Sequence, residues 1–138
     1  MSTPTVSFRP SLTADAAEIR RVALLGALAT MSTSMAHLTG AIVASVDGLP
    51  MAHDLRQGQP ESIAAMAATA AGLGKRIVDD FGIGTFEETV VRAQGGYLVV
   101  YSAGPMAVLA VIATSDVNLG RLHLEARRCA VSVAGVLR

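Results

Sequence analysis

The side chains with the means to do chemistry in this sequence are few: three histidines, one cysteine and two adjacent acidic pairs. His37, His53 and His123 form no HExxH, no pair at helical spacing and no cluster with cysteine, so a zinc site lacks its ligand pattern. His53 and Asp54 are neighbours in a β-like segment, which points their side chains to opposite faces. Cys129 falls on the apolar stripe of the last helical segment, where a free thiol acts as a small hydrophobe. A reactive thiol needs an electropositive, accessible setting instead. Gly72-Leu73-Gly74-Lys75-Arg76 has part of a phosphate-loop pattern, but Arg76 stands where Ser or Thr is required and Thr69 where the first glycine is required. The stretch also lies late in a helical segment, whereas phosphates bind helix N-termini. Asp79-Asp80 and Glu87-Glu88 diverge by about 100° on a helix and 180° on a strand, so neither pair converges on one proton or one metal. No GxSxG elbow is present. The expectation is a protein that is not an enzyme, with no catalytic, metal-binding or cofactor-binding residues.

The composition narrows the class further. The 138 residues are 51% hydrophobic and 16% charged, which excludes a disordered chain. Eleven basic residues balance eleven acidic ones, leaving no electrostatic case for nucleic acid or anionic lipid. A lone cysteine excludes a disulfide framework. Two uncharged stretches, 25 residues between Arg21 and Asp47 and 23 between Arg92 and Asp116, approach membrane-span length. The first contains the polar run TMSTSMAHLTG and the second is broken by Ser102, Gly104 and Pro105, so membrane insertion is not expected. The N-terminus lacks an apolar segment directly behind a basic start, and a cytoplasmic protein is expected.

The periodicities predict eight elements. Residues 1–12, with two prolines and several Ser/Thr, predict a mobile arm, followed by one domain over 13–138. Thr13 caps a first helix whose apolar spacing runs through Ile19, Val22, Ala23, Gly26, Ala27 and Thr30, fading within Met31–Leu38. Gly40–Val46 and Leu49–Leu55 predict a hairpin closed by a two-residue turn at Asp47-Gly48, with Pro50 placing the second strand at a sheet edge. Pro60 and Glu61 open a second helix and Gly82 ends it. Its apolar stripe is Ile63, Met66, Ala70, Leu73, Ile77 and Phe81, beside a line of small residues at Ala64, Ala68, Ala71 and Gly72. Thr85–Ala93, Tyr97–Tyr101 and Met106–Ala113 predict a meander, turning at Gly95-Gly96 and Gly104-Pro105. The last two strands are almost continuously apolar and belong in the centre, covered on both faces. Asp116 or Asn118 caps a last helix with Leu119, Leu122, Ala126, Cys129, Val133 and Val136 inward.

Helix-strand-strand-helix-strand-strand-strand-helix predicts an α/β fold, a three-layer α/β/α sandwich around a five-stranded antiparallel sheet. Two features look unfinished in a single copy. The polar edge strand Thr85–Ala93 leaves N–H and C=O groups open, and the small-residue flank of the second helix invites close approach. A twofold homodimer completes both, with Ala64, Ala68, Ala71, Gly72 and Lys75 of the helix and Glu88, Val90 and Arg92 of the strand at its interface.

The segments GAIVASVDGLPMA, ESIAAMAATAAGLGKRIVDDFGIG and GGYLVVYSAGPMAVLAVIATSDVNLGRLHLEARR, in that order, resemble the Roadblock (dynein light-chain) domain family in its bacterial form. The likeness covers roughly residues 15–137, and TMSTSMAHLT departs from the compact turn usual after the family's first helix. The resemblance implies a homodimer with a continuous ten-stranded sheet and the central helices across one face. It also implies a non-catalytic scaffold or regulator that binds a small Ras-like GTPase, biasing its nucleotide state or placing it in the cell. Arg76 and Asp79 are the candidate partner-binding residues on the second helix. Similar bacterial proteins occur with a sensor histidine kinase and a GTPase in one operon. The alternative is a small-ligand sensory domain, which is expected to be monomeric around an internal cavity, and a hydrolase with an unrecognised site is a weaker third.

Overall fold

The computed structural model describes residues 3–138, with side chains from Asp15 onward. The elements follow the predicted order: α1 (Thr3–Thr33), β1 (Leu38–Ser45), β2 (Pro50–Leu55), α2 (Pro60–Phe81), β3 (Glu88–Ala93), β4 (Gly96–Ser102), β5 (Ala107–Thr114) and α3 (Leu119–Val136). The strands lie side by side as β2-β1-β5-β4-β3, each neighbouring pair antiparallel.

The continuous apolar runs sit where burial on both faces requires them. Val43, Val99, Tyr101, Leu109 and Val111 face α1 and α3. Ile42, Ala44, Val100, Val108 and Ala110 alternate with them and face α2. The sandwich therefore has α1 and α3 on one side and α2 alone on the other. Asn118 caps α3 by accepting from the Arg121 N–H at 3.0 Å. Pro60 opens α2, and Gly82 closes it in the left-handed conformation. No helix among the described residues is long and apolar enough to cross a membrane.

Several boundaries differ from the sequence reading. Helix α1 starts at Thr3, not at the Thr13 cap, so from Thr3 onward the expected arm is drawn into the helix; Met1 and Ser2 lie outside the described residues. Once nucleated, a helix extends at the cost of one residue at a time, which lets a packed segment carry a Ser/Thr-rich one. The inner face of α1 is Leu24, Leu28 and Met31, while Ile19 and Val22 are exposed. The larger side chains near the C-terminal end reach the sheet and set the rotation of the whole helix.

The β1–β2 connection is Val46–Leu49 rather than a two-residue turn. The Gly48 N–H donates to the Ser45 carbonyl at 2.9 Å, the Ser45 N–H to the Leu49 carbonyl at 2.8 Å, and Gly48 alone takes a positive φ of 92°. That is a type I turn followed by a left-handed residue, which needs glycine once, not twice. The edge strand β3 begins at Glu88 instead of Thr85, because Phe86 is buried under α2 ahead of the strand.

Candidate functional site

Helix α2 turns Ile63, Ala64, Ala67 and Ala71 to the sheet and Met66, Leu73, Ile77 and Phe81 to solvent, so of the expected apolar stripe only Ile63 is buried. Ala64 is 0% and Ala71 3% exposed, packed with Ile63 and Ala67 against Ile42, Val100 and Val108. Met66, Leu73 and Ile77 are 59%, 61% and 46% exposed. The reason is volume: the sheet face is paved with β-branched side chains, and an alanine face fits over it at native packing density where a Met/Leu/Ile face does not. Gly74 marks the closest approach. A Cβ there meets the Phe86 ring at 2.4 Å and Thr89 Oγ1 at 2.7 Å, whereas Gly72 has nothing within 4 Å.

The two flanks of α2 face opposite sides of the sheet. On one, Ala68 and Ala65 lie against Gly48 in the β1–β2 turn. On the other, the Thr89 hydroxyl donates to the Ala70 carbonyl at 3.3 Å, so this flank meets β3. Met66, Leu73 and Ile77 stand at helical spacing from Ala70 and share its flank. Val91 of β3 is exposed and opposite Leu98 on the α2 side, and it extends the same apolar surface to the sheet edge.

That edge is open. The Ser102 N–H donates to the Glu87 carbonyl at 3.1 Å, which fixes the phase of the β3–β4 ladder. Antiparallel pairing alternates residue by residue, so Thr89, Val91 and Ala93 turn their backbone groups to β4, and Glu88, Val90 and Arg92 turn theirs outward. The three edge residues singled out from sequence are therefore the ones with free ladder groups. The helix residues fare differently. Ala64 and Ala71 are spent on the chain's own core, so they are withdrawn as dimer contacts. Ala68 lies on the flank away from β3, as do Gly72 and Lys75 by helical spacing. Arg76 and Asp79 are exposed on the outer surface of α2. Met66, Leu73 and Ile77 were hidden by their own hydrophobicity, because an apolar stripe reads as core unless the volume of the facing layer is known.

On the α1/α3 side, Glu88 accepts from Arg127 Nη2 at 3.1 and 3.3 Å, tying α3 to the edge strand. Beside this pair, a cleft of about 250 Å³ is lined by Phe86, Tyr101, Ser102, Arg127 and Val131. Tyr101 is fully buried, and its oxygen lies 2.8 Å from His123 Nδ1. Burial first, then the Glu88 charge, hold the phenol well above its ordinary range, against a smaller opposing effect of Arg127. The hydroxyl thus keeps its proton and is hydrogen-bonded with Nδ1, the ring tautomer setting which of the two donates. Among the described residues, no three His, Cys, Asp or Glu side chains converge as metal ligands do.

Cys129 is buried between α3 and α1, with Sγ 3.5 Å from the Ala27 carbonyl, and burial pushes its thiol up to about 11. The native thiol is therefore expected to resist alkylation at pH 8 and to react once the chain is unfolded. Because the folded form disfavours the thiolate, stability is present below the unfolded value near 9 and lost as pH rises from there toward 11. Chemical denaturation across that range should show the decline, and Cys129→Ala should remove the part that begins near pH 9. A flat profile in the parent protein contradicts it.

The element order, the five-stranded antiparallel sheet and β3 at its edge are those the sequence predicts, while the division of the helices into one and two and the alanine face of α2 on the sheet come from the structure. The Roadblock/LC7 domain family model matches residues 26–113. The chain belongs to the Roadblock/LC7 family. The uncharacterized protein MJ1340 of Methanocaldococcus jannaschii is 31% identical over 97 residues, covering 70% of this chain and 84% of that one. The crystal structure of a Roadblock/LC7 domain from Streptomyces avermitilis aligns with a TM-score of 0.74 at 27% identity, over 79% of this chain and 92% of that one. The gliding protein MglB of Thermus thermophilus shares the fold, with a TM-score of 0.77 at 19% identity over 85% and 90% of the two chains.

Proposed function

We propose that this Roadblock/LC7 protein is a homodimeric, non-catalytic scaffold that binds a small Ras-like GTPase and biases its nucleotide state. One observation carries the reading: the unpaired edge of β3 runs beside an exposed apolar flank, Met66, Leu73 and Ile77, on the same side of the sheet. Exposed β edges and contiguous apolar surface are both costly to leave in water, and a second copy related by a twofold axis covers both at once. Edge pairs with edge, and flank packs on flank. The outer surface of the paired α2 helices, with Arg76 and Asp79, then forms a broad platform for the GTPase.

Such a platform needs no catalytic side chain. A partner's switch loops exchange between conformations, and a surface that prefers one of them shifts that equilibrium by its differential affinity. The expected result is preferential binding of one nucleotide form. Titration calorimetry with a small Ras-like GTPase from the same genome, loaded with a GTP analogue or with GDP, should give dissociation constants differing by about fivefold or more. Equal affinity, or no binding to either form, removes the regulatory reading. Participation of a sensor histidine kinase belongs to the same proposal and is tested by whether kinase, Roadblock/LC7 protein and GTPase co-purify.

A further inference from the structure

The open edge does more than invite a second copy; its charges select how that copy sits. This inference rests on the self-association proposed above. Only Glu88, Val90 and Arg92 offer outward ladder groups, so a twofold antiparallel ladder pairs these residues with one another and slips in steps of two positions. Directly opposite residues then lie on the same face. Glu88 and Arg92 both lie on the α3 side of the sheet, as the Glu88–Arg127 contact shows.

The possible registers are not equal. Centring the axis on Glu88 or on Arg92 sets like charges directly opposite each other. Centring it on Thr89 or Val91 sets one charged residue against Val90 and leaves the other without an opposite charge on the ladder. Centring it on Val90 sets Glu88 against the partner's Arg92, and the reverse, on both sides of the axis. Opposite-charge cross-strand pairs favour a register, and like charges directly opposite disfavour it. We infer that two copies pair through β3 with Val90 on the twofold axis, and that Glu88 is held between its own Arg127 and the partner's Arg92. On the other face, the same register sets Thr89 against the partner's Val91, next to the α2 flanks.

Cross-linking of the full chain reads this register directly. Thr89→Cys and Val91→Cys occupy the closely spaced, non-hydrogen-bonded positions of the new ladder, where Cβ atoms come within disulfide reach. The native Cys129 is buried and away from the edge. Mixing the two variants under mild oxidation should give the mixed 89–91 disulfide in about fivefold excess or more over either self-link, since reach falls off sharply at diagonal positions. Dominant 89–89 or 91–91 linkage in a dimer overturns the register while leaving self-association standing. A dimer with no cross-link overturns the edge pairing. A monomer overturns the self-association and the register together. Charge exchange gives the independent readout. Arg92→Glu should raise the dimer dissociation constant about tenfold or more, and an equal mixture with Glu88→Arg should restore association as a heterodimer. Unchanged self-association of Arg92→Glu overturns the charge selection.

Discussion

Leu73→Asp, alone or with Ile77→Asp, is expected to turn the protein into a folded monomer. Both side chains are about half exposed or more in the single chain, on the flank of α2 that meets β3. Replacing them therefore disturbs little inside one copy, and surface changes of this kind usually stay within ~0.5 kcal/mol of parent stability. In the proposed dimer the same positions are buried twice over, once from each copy. Each lost leucine forfeits roughly 1.5–3 kcal/mol of burial, and each introduced carboxylate adds a desolvation cost. Doubled by symmetry, the dissociation constant should rise by a factor of about 1,000 or more, which turns a sub-micromolar dimer into a monomer at low micromolar concentration. Sedimentation velocity reports the loss of the dimer, and circular dichroism reports the retained fold. Lys75→Asp on the opposite flank is the matched control and should leave the mass unchanged. If Leu73→Asp remains dimeric, the helix flank is not at the interface.

Gly96→Ala should be among the most damaging single-methyl additions in the chain, while Gly95→Ala next to it should be nearly silent. A Cβ on Gly96 falls 2.1 Å from the Ala113 carbonyl oxygen and 3.2 Å from Thr114 Cα, both backbone atoms of β5. No side-chain rotation relieves that overlap. Strand β4 has to lift from β5 where Gly96 pairs with Thr114, and β3, which pairs with β4 alone among the described residues, moves with it. A cost of about 3 kcal/mol follows from overpacking against fixed backbone, or a fall of about 10 °C in Tm for a chain of this length. A Cβ on Gly95 has nothing within 4 Å. Thermal melts of the two variants side by side should differ by most of that amount, and equal melts contradict the packing described here.

The glycine pair shows where sequence reasoning stops. Gly95-Gly96 marks a turn correctly, but which of the two is obligatory depends on the approach of β5, a strand met only in three dimensions. The element order, the central strands and both edges were legible because each rests on a local signal: alternation against continuous apolar runs, Pro50 at the start of an edge strand, Asn118 and Gly82 at helix ends. Burial of Cys129 followed from its place on the α3 stripe. The rotation of α2 was not legible. Its stripe of Met66, Leu73 and Ile77 and its small-residue line are equally periodic, and only the β-branched floor of Ile42, Val100 and Val108 decides which one faces inward. Glu88, Val90 and Arg92 were found because alternation along one strand suffices to group them, although the hydrogen bond that fixes their outward phase comes from the fold.

Helix α2 has an unusual division of labour as a result. Its alanines and Gly74 let it sit close on the sheet, and Met66, Leu73 and Ile77 stay exposed on the flank that meets β3. The surface offered to a second copy is thereby a continuous one, running from helix to strand. Filling the close approach at Gly74 lifts the helix and breaks that continuity.

The mass of the unaltered protein in solution tests the central claim most directly. Sedimentation equilibrium at low micromolar concentration should give 28.4 kDa, twice the 14.2 kDa chain. A 14.2 kDa species persisting to concentrations of about 100 μM would mean that the β3 edge and the α2 flank stay in water, and that a single copy is the finished molecule.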